Sequence, residues 1–196
     1  MPRTRPTRPR TRRPPLGREA WLNAARAALI EEGTAGVEVN KLARRLGVSR
    51  GGFYWFFGNR QQLLEELLGY WVRTSNAQFA GILDRTGRNG AREFQSLVEL
   101  WIGESAYDPR WDGAVRDWAR TSAKVLEAVQ LVDAQRIAII EDIFIDLGYQ
   151  GMEAHIRARI TYYHQVGYYA LGIQESRRQR LKLLPSYIRV LTGRVG

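Results

Sequence analysis

Apolar residues recur along this chain with a period near 3.6, not 2, and that rhythm predicts helices from Arg18 onward. The first runs over Arg18–Glu32, with Ala20, Trp21, Ala24, Ala25, Ala28 and Leu29 on one face, and Gly33 and Gly36 end it. A short second helix is expected over 40–46, followed by a tight turn at Gly47. A third spans 49–57, opening at Ser49, whose hydroxyl suits a cap, and closing before Gly58-Asn59. A long fourth starts near Arg60 and carries Leu63, Leu64, Leu67, Leu68, Trp71 and Val72. Beyond Asn76 the pattern predicts helices over 91–105, 109–119, 122–147, 152–172 and 178–192. The breaks fall at Gly87, Gly90, Asp108-Pro109, Thr121, Gly148 and Gly151. No alternating run bounded by turns is present, and no internal repeat. The fold class expected is therefore all-α.

Charge placement changes the picture more than composition does. Of 196 residues 44% are apolar, enough for a packed core, and the formal net charge is +10. Residues 1–60 hold 13 basic and 4 acidic side chains, whereas 61–196 hold 17 and 16. A basic excess confined to one end is the footprint of a polyanion binder. The basic residues are Arg except for Lys41, Lys124 and Lys182. Guanidinium forks suit phosphates and guanine edges, although a GC-rich genome produces the same bias. Residues 1–17 contain six Arg and five Pro with no acid, and are expected to form a disordered basic arm. That arm is either a solvated tail or a segment that tracks phosphates or the minor groove.

Other chemistries are disfavoured. There is no Cys, which removes disulfides, thiolate nucleophiles and zinc–sulfur sites. The two His, His155 and His164, lie far from any ligand-like cluster, so neither a metal nor a cofactor is expected. No nucleophile–base pair, phosphate loop or carboxylate dyad stands out, so no catalytic residue is assigned. No apolar run approaches the ~18 residues of a membrane helix, and no secretory signal is evident, so the expected location is the cytoplasm.

The densest motif runs from Val39 to Arg60, VNKLARRLGVSRGGFYWFFGNR. Leu42, Leu46, Val48 and Phe53 can lock two short helices against the first, Ala43 is small at their crossing, and Gly47 tolerates the turn. This is a helix-turn-helix, in which the later helix presents its start to the major groove. The stretch resembles the tetracycline-repressor (TetR) family through Leu42-Ala43, Gly47-Val48-Ser49, Gly51, Tyr54, Phe57, Arg60 and Leu63. The likeness covers about residues 18–75; beyond it only helix count, rhythm and the phrase RWDGAVRDWA agree.

The resemblance implies a transcriptional regulator that reads double-stranded DNA as a homodimer and answers to a small-molecule effector. It implies DNA contacts from Asn40, Lys41, Ser49, Arg50, Gly51, Gly52, Tyr54, Trp55 and Arg60, with Arg50 the best base reader and Arg60 on a phosphate. Three positions depart from the family pattern. Glu38 stands where Thr would cap the second helix, Phe56 replaces a common His, and Gly51-Gly52 adjoin inside a helix.

The domains expected are the arm at 1–17, a DNA-binding head at 18–62, and a ligand-binding and dimerisation body at 63–196. In the body, Trp71, Trp101, Trp118 and Tyr162 are candidate effector contacts, although aromatics at helical spacing more often build core. Leu181, Leu184, Ile188 and Leu191 form an apolar stripe that, with Ala158, is the candidate dimer seam. His164 reads as a satisfied core residue. The expected activity is that of a repressor released from a palindromic operator by its effector; the alternative is an architectural DNA-binding dimer without one.

Overall fold

The computed structural model describes residues 17–86, 88–104 and 107–193, so the expected arm, apart from Gly17, lies outside the described residues. Helices α1 (Arg18–Glu32), α2 (Val39–Leu46), α3 (Arg60–Ser75), α4 (Ala77–Thr86), α5 (Gly90–Gly103), α6 (Pro109–Ala119), α7 (Ala123–Asp146), α8 (Gly151–Ala170) and α9 (Arg177–Thr192) follow in order, with 3-10 turns at Gly33–Gly36 and Arg50–Gly52. Among the described residues there is no strand. The all-α class read from periodicity is what the chain adopts.

Local chemistry accounts for most boundaries. Asn59, Asn89 and Ser176 each accept a hydrogen bond from the backbone N–H three residues on, capping α3, α5 and α9. Asp108 caps α6, where Pro109 fills a first-turn position that needs no N–H donor. Gly47 ends α2 in the left-handed conformation, φ 68°, which a side chain would resist. Gly90 is required for a different reason: a Cβ there would lie 2.5 Å from the Leu147 nitrogen, so the start of α5 rests directly on the end of α7.

Two local expectations need correction. The segment expected as one helix over 49–57 is a 3-10 turn at Arg50–Gly52 followed by further turns, and Ser49 makes no cap bond. Adjacent glycines withdraw the side-chain contacts and the propensity that would hold a regular helix. The chain after Asn76 forms α4, a helix of its own that the glycine punctuation did not separate. As expected over 178–192, α9 passes through Pro185 without ending. Proline removes an intrahelical bond there, and packing of α9 on α5 and α8 compensates.

Two apolar clusters make the interior. One joins α1, α2, the turn carrying Phe53 and Phe57, α3, α6 and the first half of α7. The other joins α4, α5, the second half of α7 and α8, with α9 against it. The first cluster crosses residue 62: Leu63, Leu64, Leu67, Leu68 and Trp71 bind the head to Trp111, Val115, Val125 and Val129 of the body.

At the seam between the clusters sits a buried ion pair. Arg136 of α7, 1% exposed, bonds Asp112 of α6, 6% exposed. Asp112 also accepts from Trp71 Nε1 at 2.8 Å and from the Tyr107 hydroxyl at 3.1 Å. Arg136 donates further to the Ser75 carbonyl at 3.2 Å and to Asn76 Oδ1 at 3.3 Å, and lies over the Phe79 ring at 4.8 Å. Tyr162 of α8 closes the network, donating to Asp133 at 2.7 Å and accepting from Arg116 at 3.0 Å. Burial pushes its phenol up to about 12, with Asp133 adding to the effect, so it remains a donor at neutral pH.

The expected dimer stripe is half-buried against its own subunit. Ala158 is fully buried in its own subunit, and Leu184, Ile188 and Leu191 pack on the second cluster. Leu181 retains substantial exposure. An apolar stripe identifies a face that must be covered, and here α5 and α8 of the same chain cover part of it.

Asp112→Ala leaves the Arg136 charge buried without its counterion and is expected to cost about 3–5 kcal/mol in urea unfolding. Trp71→Phe removes one hydrogen bond to a charged group and is expected to cost about 1.5–3 kcal/mol. Unchanged stability in Asp112→Ala would show that the pair does not anchor the seam.

Candidate nucleic-acid interface and body cavity

The head sorts its residues by which way the turn after α2 faces them. Phe53 and Phe57 are buried, stacked at 5.2 Å, and Phe53 meets the Trp21 ring edge-on at 5.4 Å. That anchors the turn on α1. Between them Tyr54 is 54% exposed and Trp55 86% exposed. A tryptophan left this open is a strong sign of a surface awaiting a partner, since its ring gains most from being covered. Ser49, Arg50 and Gly51 are also exposed, and Arg50 makes no ion pair among the described residues. The structure therefore gathers Ser49, Arg50, Gly51, Gly52, Tyr54 and Trp55 on one short segment.

The glycine pair has no internal cause. Neither Gly51 nor Gly52 has a positive φ. A Cβ on Gly51 would meet Ser49 Oγ at 3.7 Å, and one on Gly52 would meet Trp21 at 3.9 Å, both ordinary contacts. Folding alone would accept alanine at either position.

The remaining expected contacts divide. Asn40 is exposed at the start of α2. Lys41 bonds Glu32 at 3.0 Å and the Ala35 carbonyl at 3.2 Å, so its ammonium is held back against the 3-10 turn. The Arg60 guanidinium donates to the Val37 and Thr34 carbonyls, each at 2.6 Å. Arg60 thus ties the start of α3 to the loop before α2, where the resemblance implied a grip on phosphate. Glu38, as its residue type suggests, gives α2 no side-chain cap.

Two arginines escaped the sequence reading. Arg18 donates to the Phe56 carbonyl at 2.9 Å, pairs with Glu66, and lies over the Phe57 ring at 4.7 Å; it fixes the far end of the turn. Its helix-start position offers no sequence signal for that role. Arg44 is exposed one helical turn after Asn40, on the same face, with no ion pair among the described residues. Its neighbour Arg45 pairs with Glu31. The spacing from Asn40 to Arg44 was the signal available.

The candidate effector residues do not converge. Trp71 and Tyr162 belong to the seam network. Trp118 lies along a groove between α1 and α6. Trp101 alone of the set lines a cavity of about 60 Å3, open to solvent at its mouth, between α5, α8 and α9. Phe94, Val98 and Leu184 make its apolar walls, with Thr161, His164 and Gln165 on α8. Burial lowers the His164 imidazole below its ordinary value, so it is neutral at neutral pH. Among the described residues no group of His, Asp or Glu is placed to hold a metal, and no helix is long and apolar enough to cross a membrane.

A helix-turn-helix head packed on a helical body, with one apolar cluster shared between them, defines the architecture. Residues 22–67 match the model for bacterial regulatory proteins of the tetR family. Solved structures of transcriptional regulators share the fold along almost the whole chain. The ketosteroid transcriptional regulator KstR2 of Mycobacterium tuberculosis is 20% identical, with 90% of this chain and 93% of that one covered and a TM-score of 0.63. The fatty acid degradation regulator FadR from Bacillus halodurans is 16% identical, with 89% and 94% covered and a TM-score of 0.63. FadR from Bacillus subtilis, solved in complex with stearoyl-CoA, is 14% identical, with 89% and 97% covered and a TM-score of 0.60. No curated protein sequence matches this one.

Arg60→Ala is expected to lower the thermal midpoint of the free protein, because hydrogen bonds from a charged donor to two carbonyls are lost, at roughly 1.5–3 kcal/mol each before allowance for exposure. Arg60→Lys is expected to recover little, since one ammonium cannot reproduce the fork. A midpoint unmoved in both variants would return Arg60 to a purely DNA-facing role.

Proposed function

We propose that this chain is a DNA-binding transcriptional repressor that acts as a homodimer on a roughly palindromic operator in the cytoplasm, and that a small-molecule effector releases it. One observation carries the reading: Arg50, Tyr54 and Trp55 stand exposed on a turn that the buried Phe53 and Phe57 lock onto the head. Arg50 would read a guanine edge, Tyr54 and Trp55 would lie on the sugar-phosphate backbone, and Ser49, Asn40 and Arg44 would hold phosphates. The glycine pair would let the backbone approach the groove. Lys41 and Arg60 would support the surface from behind. The arm at 1–17, the head at 18–62 and the body at 63–196 would divide the work.

For dimerisation, the more exposed apolar residues replace the half-buried stripe. Ile156, Ile160 and Tyr163 on α8 and Tyr187 and Val190 on α9 are exposed, and two such helices from each subunit would form a four-helix bundle. Two-fold symmetry would set the reading turns about one DNA turn apart, ~34–36 Å. Release would follow if effector favours a dimer whose heads no longer match successive grooves. FadR from Bacillus subtilis holds stearoyl-CoA; an apolar effector would suit the walls of Phe94, Val98 and Trp101 here. That cavity also speaks against a body that serves only to dimerise.

The test is selection of bound fragments from the source genome, followed by anisotropy titration. Arg50→Ala is expected to weaken the selected site by about 1–3 kcal/mol with little effect on random DNA. Arg44→Ala should weaken both and reduce the salt slope by about 1. Gly51→Ala should leave the free protein as stable or more so, by up to about 1 kcal/mol, while weakening the selected site. No preference for any genomic fragment over random DNA would sink the proposal.

A further inference from the structure

On α8, Thr161 Oγ1 and Gln165 Nε2 are buried with no hydrogen-bond partner among the described residues. Thr161 is 0% exposed and Gln165 7%. Four residues apart on a helix, they share a face, and both line the cavity beneath α9. Buried polar atoms are nearly always paired, so two unpaired atoms on one cavity wall call for an explanation outside the folded chain.

Their chemistry specifies the missing group. The Gln165 nitrogen brings only donors, and the Thr161 hydroxyl can turn to donate as well. The complement is an accepting oxygen. The wall offers it no free cation. Arg180 is engaged by Glu104 at 2.7 Å and by the Trp101 carbonyl at 3.1 Å, and Glu175 accepts from the Tyr168 hydroxyl at 3.3 Å. His164 is neutral, as burial dictates. An anion entering here would lose its hydration without a counterion, whereas a neutral carbonyl would be satisfied by the two donors. The other walls, Phe94, Val98, Trp101 and Leu184, ask for hydrocarbon.

We propose that this cavity binds an uncharged, largely apolar molecule through one carbonyl oxygen, which accepts hydrogen bonds from Gln165 Nε2 and Thr161 Oγ1. Any consequence for DNA rests on the regulator reading above. The ligand would sit between α8, which carries both donors, and α9, which closes the mouth through Leu184 and Tyr187. Both helices carry the proposed dimer face, so filling the cavity would shift that face directly. A second cavity, beside Trp71, is lined by the paired charges of Asp112 and Arg136 and offers no comparable apolar wall with unpaired donors.

The test titrates the full chain with straight-chain 2-ketones and the matching alkanes and carboxylates, read by calorimetry and thermal midpoint. The best ketone is expected to bind at least about tenfold more tightly than its alkane and its carboxylate, and to raise the midpoint. Gln165→Leu and Thr161→Val should abolish the preference for ketone over alkane. Without ligand they should melt at the same temperature or higher, since each removes an unpaired buried atom. Leu184→Phe, which fills the space from another helix, should block both probes. Equal binding of ketone and alkane, tighter binding of the carboxylate, or a lowered midpoint with ketone preference intact would each overturn the assignment. The two readings fail separately. Ketone indifference alongside selective DNA binding overturns the cavity assignment alone; ketone selectivity without DNA preference supports the cavity and overturns the regulator reading.

Discussion

The structure depends on the placement of one charge. Arg136 sits on the longest helix, where the two apolar clusters meet, and Asp112 reaches it from α6. A guanidinium there is tolerable only with its counterion and with its remaining donors satisfied, because desolvation of an unpaired charge outweighs what packing returns. Satisfying both groups fixes their neighbours. Trp71 and Ser75 hold the end of α3, Asn76 the break before α4, Tyr107 the entry to α6, and Tyr162 the middle of α8. Five helices thereby meet at one polar point, with an orientation that apolar contacts alone would specify less sharply.

That point lies on the route from body to head. α3 leaves the turn carrying Tyr54 and Trp55 and ends at Arg136. Arg26 of α1 pairs with Asp108 at 2.6 Å and lies over Trp111 at 4.1 Å, so α1 is fastened to the same α6 that bears Asp112. Lys124 and Glu65 add an exposed tie at 3.0 Å, worth little by itself in water. The head is thus continuous with the front of the body.

The motif from Val39 to Arg60 was legible because its signals are local. Gly47 needs its left-handed turn, Phe53 and Phe57 need covering, and the polar residues between them are left outside. Failures came where the outcome depended on what lies across from a residue. Lys41 and Arg60 read as free cations until the folded chain brings Glu32 and the carbonyls of Thr34 and Val37 within reach. Trp71 and Tyr162 read as ring walls for a ligand, but their polar atoms are taken by Asp112 and Asp133. The stripe at Leu184, Ile188 and Leu191 carried no mark distinguishing its own core from a second subunit.

From the residues alone came the helical class, most helix boundaries, the basic end of the chain and the segment, though not its turn conformation, that presents Arg50. These rest on periodicity, caps and glycine conformations that act within a few residues. Only the tertiary structure decided which arginines are free, which face of α8 and α9 stays uncovered, and that Thr161 and Gln165 open onto empty space. Pairing and burial are properties of residues far apart in the chain, and no spacing along it encodes who will stand opposite whom.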